Sequence, residues 1–208
     1  MSADSPLPTN AAHADARRAF LAAFFRRPGT MGAVAPSSAR LSAVLTSIVP
    51  TAGGPVVVEL GPGTGAVSAA IDRRLTAGSR HLAVELDVAM VDYLSRTRPG
   101  MEVVHGDARN LRKLLAERDV THVDAVVCGL PWAFFDEPTQ HAVLTEVGEA
   151  IGPTGAFTTF AYVSGMALPA ARRFRRTLRA RFEEVIVSAT VWRNLPPAFV
   201  YVCRRPKG

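Results

Sequence analysis

The amino-acid sequence predicts an α/β fold built on a mostly parallel sheet with helices on both faces. Short β-branched runs are typical of parallel strands that are buried on both faces, and such runs alternate here with helical stretches. Near the end of the chain, two apolar stretches flank Asn194-Leu195-Pro196-Pro197 and predict a closing antiparallel hairpin. In chain order, the seven predicted strands begin at 56, 81, 101, 123, 155, 183 and 198.

Length and composition limit the class of protein. The 208 residues suffice for one α/β domain, and we expect a flexible segment over 1–15, a helical lid over 16–50 and the domain over 51–208. Cys128 and Cys203 lie in apolar, strand-like stretches, so a reducing compartment is expected rather than a disulfide, and no metal spacing occurs. Without an apolar run of about twenty residues or a signal peptide, a cytoplasmic protein is expected, with peripheral attachment to the inner face of the membrane left open.

The first strand leads directly into a glycine turn. Val56, Val57 and Val58 predict a buried strand, and the glycines that follow allow a tight backbone turn beneath a ligand. The spacing Gly61-x-Gly63-x-x-Ala66 also satisfies the loose dinucleotide fingerprint. The turn therefore predicts a nucleotide-like ligand but does not identify it. A helix over 66–75 is expected next, with its free N–H groups toward the ligand. Later helices are expected to be capped by Asp87 and Asp136.

The ends of the next three strands limit which class of nucleotide-binding protein the sequence can encode. Glu85 ends the second strand, twenty residues after Gly65, where an acid usually binds ribose hydroxyls. The third strand ends in Gly106-Asp107-Ala108 and the fourth in Cys128-Gly129-Leu130-Pro131-Trp132. An NAD dehydrogenase would leave these last two motifs unused and would need a separate substrate domain, so that class is disfavoured.

The four motifs together resemble a known family. ELGPGTG, VEL, GDA and GLPW resemble the cofactor motifs of the class I S-adenosylmethionine-dependent methyltransferases. A phenylalanine-rich N-terminal helix, GAVAPSS and NLPPAFVY extend the likeness, from about residue 20 to the end, to the bacterial phospholipid N-methyltransferases, which are similar to rRNA adenine dimethylases. The resemblance implies a Rossmann-like seven-stranded sheet, S-adenosylmethionine as cofactor and S-adenosylhomocysteine as product.

The resemblance also implies which residues bind the cofactor. Glu59 is expected under the methionine end, accepting from the α-ammonium group, unless it is merely a water-exposed acid at the strand end. Asp107 and the backbone of Ala108 are expected to face the adenine amino group, unless Asp107 only caps a helix over 111–117. Thr64 is expected to donate a side-chain hydrogen bond. The remaining candidates are Gly32, Gly61, Gly63, Gly65, Glu85, Leu86, Gly106, Cys128 and Leu130.

The methyl acceptor is expected beside the fourth and fifth strands, with Gly129, Trp132 and Tyr162 as catalytic candidates. Adenine methyltransferases carry Asn or Asp where this chain has Gly129, and that departure favours a different amine. Trp132 either offers an aromatic face to a cation or only forms the pocket wall. No convincing general base is found, and His81, His105 and His122 are expected to be residues at strand edges.

Two basic helices remain open to several interpretations. The first, over 17–27, carries Phe20 and Phe24 and either packs onto the domain as a lid over the cofactor pocket or lies in a membrane interface. Ser37 and Ser38 follow it as the cap of a helix to Ile48 or as a loop across the pocket mouth. A solvated surface, an anionic membrane or RNA phosphates would each suit the second helix, over 168–182. Its arginines, which match the formal net charge of +6, are Arg172, Arg173, Arg175, Arg176, Arg179 and Arg181.

The predicted function is N-methylation of an amine, foremost a phospholipid head group of the phosphatidylethanolamine or ornithine-lipid type at a membrane surface. One alternative is a soluble amine such as an alkaloid or indole nitrogen. A second is an RNA adenine, which the missing polar residue at Gly129 and the lack of a C-terminal RNA-binding domain disfavour. A third is a degenerate protein that binds the cofactor without catalysis.

Overall fold

The computed structural model describes residues 37–207, and these residues form one seven-stranded sheet with the strand order β3-β2-β1-β4-β5-β7-β6. The first five strands pair in parallel, and β7 is antiparallel to both β5 and β6. The predicted sheet with its closing hairpin is confirmed. The strands are β1 (Val56–Leu60), β2 (Arg80–Glu85), β3 (Glu102–His105), β4 (Ala125–Cys128), β5 (Ala156–Tyr162), β6 (Phe182–Val187) and β7 (Ala198–Pro206).

Helices connect the strands, and several start at the predicted caps. The side chains of Ser38, Asp87 and Asp136 each accept a hydrogen bond from a backbone N–H of the helix that they precede, which satisfies donors that the first turn leaves unpaired. The helices are α1 (Ala39–Leu45), α2 (Ser68–Asp72), α3 (Val88–Thr97), α4 (Leu111–Ala116), α5 (Glu137–Ile151) and α6 (Pro169–Arg181).

Two elements are shorter than the sequence predicts. The helix expected over 66–75 is only α2, because residues 63–67 form successive turns in which Gly65 adopts a φ of +80°. The last-but-one strand was expected to reach Arg193, but β6 ends at Val187. Residues 188–197 form a loop that contacts β7 through an isolated bridge between Val191 and Ala198 and through hydrogen bonds between Ser188 and Val200.

The sheet is buried on both faces, which explains the uninterrupted apolar runs. On one face, Val57 packs with Leu41 and Leu45 of α1, both fully buried. On the other face, Val58 belongs to the core cluster that includes Leu178 of α6. The hydroxyl of Thr158 in β5 donates to the carbonyl of Leu45 at 2.8 Å, so α1 is an integral part of the domain.

The carboxyl ends of β1 to β5 meet at one edge of the sheet, which we call the carboxyl edge. Parallel register places Leu60 beside Val84 and Cys128, and the antiparallel register of β5 with β7 places Tyr162 opposite Ala198. The loop 188–197 therefore lies at the carboxyl edge as well. In open α/β sheets, ligands bind in the crevice outside the carboxyl ends of the strands.

Some features bear on location and chemistry. Among residues 37–207, no helix is long and apolar enough to cross a membrane, and no group of three or more His, Cys, Asp or Glu could hold a metal ion. Cys128 and Cys203 are free thiols in the core, and burial raises the pKa of each to about 12.

Candidate active site

The turns after β1 and β4 touch through their backbones at the carboxyl edge. Gly61 has a φ of +68°, and a Cβ there would lie 2.9 Å from Cδ2 of Leu130. A Cβ on Gly129 would lie 2.8 Å from the carbonyl oxygen of Gly61, a separation that real Cβ atoms essentially never show. Glycine at 129 is therefore required by close backbone approach, which gives a structural reason for the missing polar residue at this position.

Glu85 is a buried carboxylate held between the glycine turn and the start of α3. Its Oε1 accepts from the backbone N–H groups of Leu86 at 2.8 Å and Asp87 at 3.0 Å, and its Oε2 accepts from Gly63 at 3.3 Å. Burial raises the pKa of Glu85, while these three backbone donors oppose the shift. The carboxylate is thus fixed at the place where a ribose ligand is predicted. Leu86 contributes its backbone to this arrangement.

Glu59 and His81 form a buried network that the sequence did not predict. Oε2 of Glu59 lies 3.2 Å from Nε2 of His81, and Nδ1 of His81 lies 3.1 Å from Oδ1 of Asp72. Arg98 extends the network, with Nη1 3.2 Å from Oδ2 of Asp72 and Nη2 donating to the carbonyl of Gly65 at 2.7 Å. The network therefore joins the strand that precedes the glycine turn to the turn itself.

At this network, the alternative interpretation of Glu59 and the expectation for His81 are wrong. Glu59 is not a water-exposed acid, since it is 1% exposed, and His81 is not at a strand edge, since it is 3% exposed on an interior strand. Burial alone would lower the pKa of His81, but its hydrogen bonds with Asp72 and Glu59 outweigh burial and raise the pKa. The pKa of Asp72 is lowered in turn, because its bonds to His81 and Arg98 outweigh burial. The role of Glu59 toward a cofactor ammonium group remains a prediction.

Asp107 caps a short turn rather than the helix over 111–117 that the alternative interpretation gave it. Its Oδ1 accepts from the backbone N–H of Arg109 at 2.9 Å at the start of the 3₁₀ turn Ala108–Asn110. Its Oδ2 binds the Arg109 guanidinium, with Nη2 at 2.6 Å. Asp107 therefore precedes the 3₁₀ turn rather than the helix that starts at Leu111, and contact with adenine remains a prediction for Asp107 and Ala108. Gly106 lies against Leu114, whose Cδ1 would be 2.5 Å from an added Cβ.

The ring of Trp132 is covered within the core, and a role toward a cation remains a prediction that this burial disfavours. Its side chain is 4% exposed and stacks on Phe174 of α6 with ring centroids 4.6 Å apart. Its indole Nε1 donates to Oγ1 of Thr159 in β5 at 2.7 Å. Trp132 is thus a core residue that fixes the turn after β4 to β5 and α6.

The other acceptor-side candidates differ in exposure. Tyr162 is partly buried at the end of β5, where burial raises its pKa to about 12, so the phenol is protonated at neutral pH and can donate a hydrogen bond. Within residues 37–207 its hydroxyl has no hydrogen-bond partner. The thiol of Cys128 is buried in the core, and cofactor binding by this residue remains a prediction. Leu130 packs over Gly61, and Thr64 is exposed.

The start of α1 is tied to the loop before β7. Ser38 caps α1 by accepting from the N–H of Leu41 at 3.2 Å, and its own N–H donates to Oδ1 of Asn194 at 2.9 Å. Ser37 precedes it and is partly buried. No local sequence pattern indicates the role of Asn194, because its partner Ser38 is 156 residues away. Three further candidates, Gly32, Phe20 and Phe24, lie outside the described residues, as does the helix predicted over 17–27.

The basic helix α6 has five exposed arginines rather than six. Phe174, Leu178 and the following Phe182 are buried as predicted. Arg181 is partly buried, and its Nη2 donates to the carbonyl of Thr145 at 3.4 Å and lies 3.8 Å from Oε1 of Glu149. The remaining five make no ion pair within the described part of the chain and line a shallow open depression: Arg172, Arg173, Arg175, Arg176 and Arg179.

Comparisons with known proteins identify the family. Residues 57–155 match a protein family described as a methyltransferase domain. An ornithine lipid N-methyltransferase of Singulisphaera acidiphila is 32% identical over 191 residues, which cover 90% of this chain and 95% of that protein. The chain belongs to the class I S-adenosylmethionine-dependent methyltransferases. This methyltransferase is therefore an enzyme that uses S-adenosylmethionine.

Solved structures share the fold of the methyltransferase. The 1,6-didemethyltoxoflavin N1-methyltransferase of Burkholderia thailandensis, with S-adenosylhomocysteine bound, has a TM-score of 0.65 at 17% identity over 99% of this chain and 94% of its own. The O-methyltransferase TomG of Streptomyces achromogenes, in complex with S-adenosylmethionine, has a TM-score of 0.64 at 16% identity over 91% of this chain and 89% of its own. The predicted Rossmann-like sheet is confirmed.

The carboxyl edge of the methyltransferase fits this cofactor. Glu85 is a fixed, buried carboxylate without a side-chain partner among residues 37–207, and the glycine turn beside it exposes no bulky side chain of its own. A carboxylate oxygen can accept several hydrogen bonds, which suits two ribose hydroxyls. These residues fit S-adenosylmethionine, whose sulfonium supplies an electrophilic methyl group when bound.

Proposed function

We propose that this methyltransferase transfers a methyl group to the amine of a membrane-lipid head group, of the ornithine-lipid or phosphatidylethanolamine type. The observation that carries the proposal is the ornithine lipid N-methyltransferase of Singulisphaera acidiphila, because the match covers nearly all of both chains. The absence of a side chain at Gly129 also supports an acceptor other than adenine, since a polar group cannot be placed there without moving Gly61.

The residues of the carboxyl edge would bind, orient and desolvate the reactants. In this proposal Glu85 holds the cofactor ribose, Asp107 and Ala108 lie toward the adenine, and Thr64 donates from the glycine turn. The acceptor amine enters beside Gly129 and Tyr162. It must arrive unprotonated, and a low-polarity site favours the neutral form of an amine. Tyr162 is a poor base because burial raises its pKa to about 12, but its neutral hydroxyl can donate a hydrogen bond.

The surface charge supports a lipid rather than a soluble amine. The five exposed arginines of α6 are attracted to anionic head groups by about 1 kcal/mol each near the surface. In this proposal the enzyme is a peripheral protein at the membrane surface, with Arg172 and Arg176 among its lipid contacts. RNA phosphates would attract the same arginines, and a salt-dependent retention of RNA would indicate that alternative.

Methyl transfer from radiolabelled S-adenosylmethionine tests the proposal. Purified ornithine lipid, phosphatidylethanolamine, free ornithine and free ethanolamine are offered in parallel, and the products are resolved chromatographically. Label in a lipid amine supports the proposal and identifies the head group, whereas label only in the free amines overturns it. Glu85→Ala serves as the inactive control, with S-adenosylhomocysteine binding measured by calorimetry to confirm that its defect lies in cofactor binding.

A further inference from the structure

We propose that the loop 188–197 inserts Trp192 and Leu195 into the surface of an anionic bilayer and thereby seats the carboxyl edge of the sheet on the membrane. The inference deepens the proposed function and rests on it for its purpose.

Trp192 and Leu195 are the most exposed large apolar side chains in residues 37–207. Trp192 is 73% exposed and Leu195 is 75% exposed. Single apolar residues on a surface are ordinary, but two in one short loop form a patch that favours removal from water. An indole is also the side chain that most favours the boundary between head groups and acyl chains.

The loop that carries them is anchored to the domain at several points. Asn194 lies between them in sequence, is 3% exposed, and bonds both Ser38 N–H at 2.9 Å and the carbonyl of Pro196 at 2.7 Å. Val191 is 4% exposed and donates its N–H to Ala198 at 2.7 Å. Because the residues beside Trp192 and Leu195 are buried and bonded, the loop holds these two side chains outward.

The position of the loop relates it to the acceptor site. Ala198 pairs with Tyr162, and the carbonyl of Pro197 accepts from the N–H of Val163 at 2.9 Å, so the loop borders the segment that follows β5. Two more exposed apolar side chains lie in that segment, Met166 at 49% and Leu168 at 54%. The apolar residues thus flank the end of β5, where the amine is expected to enter.

The exposed arginines near this loop favour an anionic bilayer as the surface that the loop contacts. Arg193 is exposed between Trp192 and Asn194, and α6 starts from the same edge with Arg172 and Arg173 exposed in its first turns. None of these three arginines forms an ion pair with any residue that the structure describes. Apolar side chains bordered by unpaired cations match the two attractions of an interfacial protein, burial of apolar area and binding of anionic lipid.

Tryptophan fluorescence with vesicles tests the insertion directly. The chain has two tryptophans, and Trp132 is already buried, so a change in emission reports Trp192. With vesicles of phosphatidylglycerol and phosphatidylcholine in equal parts, we expect a blue shift and quenching by acyl-chain-brominated lipid. Trp192→Phe should abolish the signal while vesicle binding persists.

A paired substitution measures the contribution to binding. We expect Trp192→Ser combined with Leu195→Ser to weaken binding to the same vesicles at least tenfold, since two large apolar side chains no longer leave water. The matched control is Tyr93→Ser with Ile186→Ser, which removes two side chains that are 41% and 47% exposed on α3 and β6. An unshifted spectrum, or equal binding by both double variants, overturns the inference.

Activity separates this inference from the proposed function. The loop double variant should lose methyl transfer to ornithine lipid in vesicles and keep it toward a short-chain ornithine lipid dispersed as monomers. If the wild-type enzyme methylates neither substrate, the proposed function fails. The fluorescence result alone then tests whether the loop inserts into the bilayer. If the loop variant methylates vesicle lipid as fast as the wild type, the loop inference fails and the proposed function stands.

Discussion

His81 and Glu59 form a buried pair directly before the glycine turn, with 3.2 Å between Nε2 and Oε2 and side chains that are almost fully removed from solvent. They lie on adjacent strands, β2 and β1, and His81 also contacts Asp72 at the end of α2. A buried carboxylate is costly unless it is paired. The pair therefore stabilises the start of the cofactor site through the residues beneath it.

Loss of the imidazole should destabilise the domain. His81→Ala leaves Glu59 buried without its partner, and removing one member of a buried pair costs about 3 kcal/mol or more. We expect a loss of that size in the free energy of unfolding by urea. Glu59→Gln with His81→Gln, which replaces both charged groups by amides, should lose clearly less. Equal losses in the two variants would contradict the pairing.

The same pair should make stability depend on pH. The pKa of His81 is raised in the folded protein, so its contribution is complete below the unfolded pKa of about 6.5 and is lost as pH rises through the folded pKa. The difference in unfolding free energy between wild type and His81→Gln should therefore shrink as pH increases from 6 toward about 9. Subtracting the variant removes the contribution of Glu85, which both proteins share, and Asp72, whose pKa is lowered, stays ionised over this pH range. A difference that grows with pH would refute this sign.

Gly129 should not tolerate a side chain. Gly129→Asn places a Cβ 2.8 Å from the Gly61 carbonyl, and such overpacking typically costs about 1–3 kcal/mol. We expect a loss of that order in stability and weaker binding of S-adenosylhomocysteine by calorimetry, because the glycine turn must move. Gly100→Ala, where nothing lies within 4 Å of the added Cβ, is the control and should be nearly neutral.

Trp132 should behave as a core residue rather than a cation ligand. Trp132→Phe keeps an aromatic ring but loses the hydrogen bond to Thr159 and part of the stacking on Phe174. We expect stability to fall by about 1–3 kcal/mol while the KM for the amine stays near that of the wild type. Thr159→Val, which leaves the indole N–H without its acceptor, should be destabilising as well. An amine KM that rises sharply in Trp132→Phe with stability unchanged would restore the cation-binding interpretation.

The arginines of α6 should contribute to anionic vesicle binding in proportion to their number. Arg172→Gln with Arg176→Gln removes two unpaired charges, which corresponds to about 2 kcal/mol at low salt. Co-sedimentation with phosphatidylglycerol vesicles at several salt concentrations measures the effect, which should diminish as salt increases. Arg204→Gln with Arg205→Gln is the control, because these exposed arginines pair with Glu184 and Glu183 in the β6–β7 hairpin. Equal losses from the two pairs would show that only net charge matters.

The sequence predicted the features that depend on neighbouring residues. The strands follow from β-branched runs, and the caps at Asp87 and Asp136 follow from the residue type that precedes a helix. The site candidates at Gly61, Glu85 and Gly129 were found because the carboxyl ends of parallel strands must meet at one edge.

The features that were missed depend on contacts between distant residues. His81 looked like an ordinary residue at the start of a strand because its partner Glu59 is 22 positions earlier. Trp132 looked like a ligand contact because nothing local showed that Phe174 would stack on it. Only the packing of α6 against the turn after β4 determines that its ring is covered.

The backbone contact between Gly61 and Gly129 has a consequence for engineering the enzyme. Acceptor preference cannot be altered by adding a functional group at 129, because the main chain of Gly61 occupies the space that a side chain would need. Variation in substrate choice must instead come from segments with room for new side chains, such as residues 163–168 or the partly buried Leu130. A library directed at those segments would search the changes that the scaffold can accept.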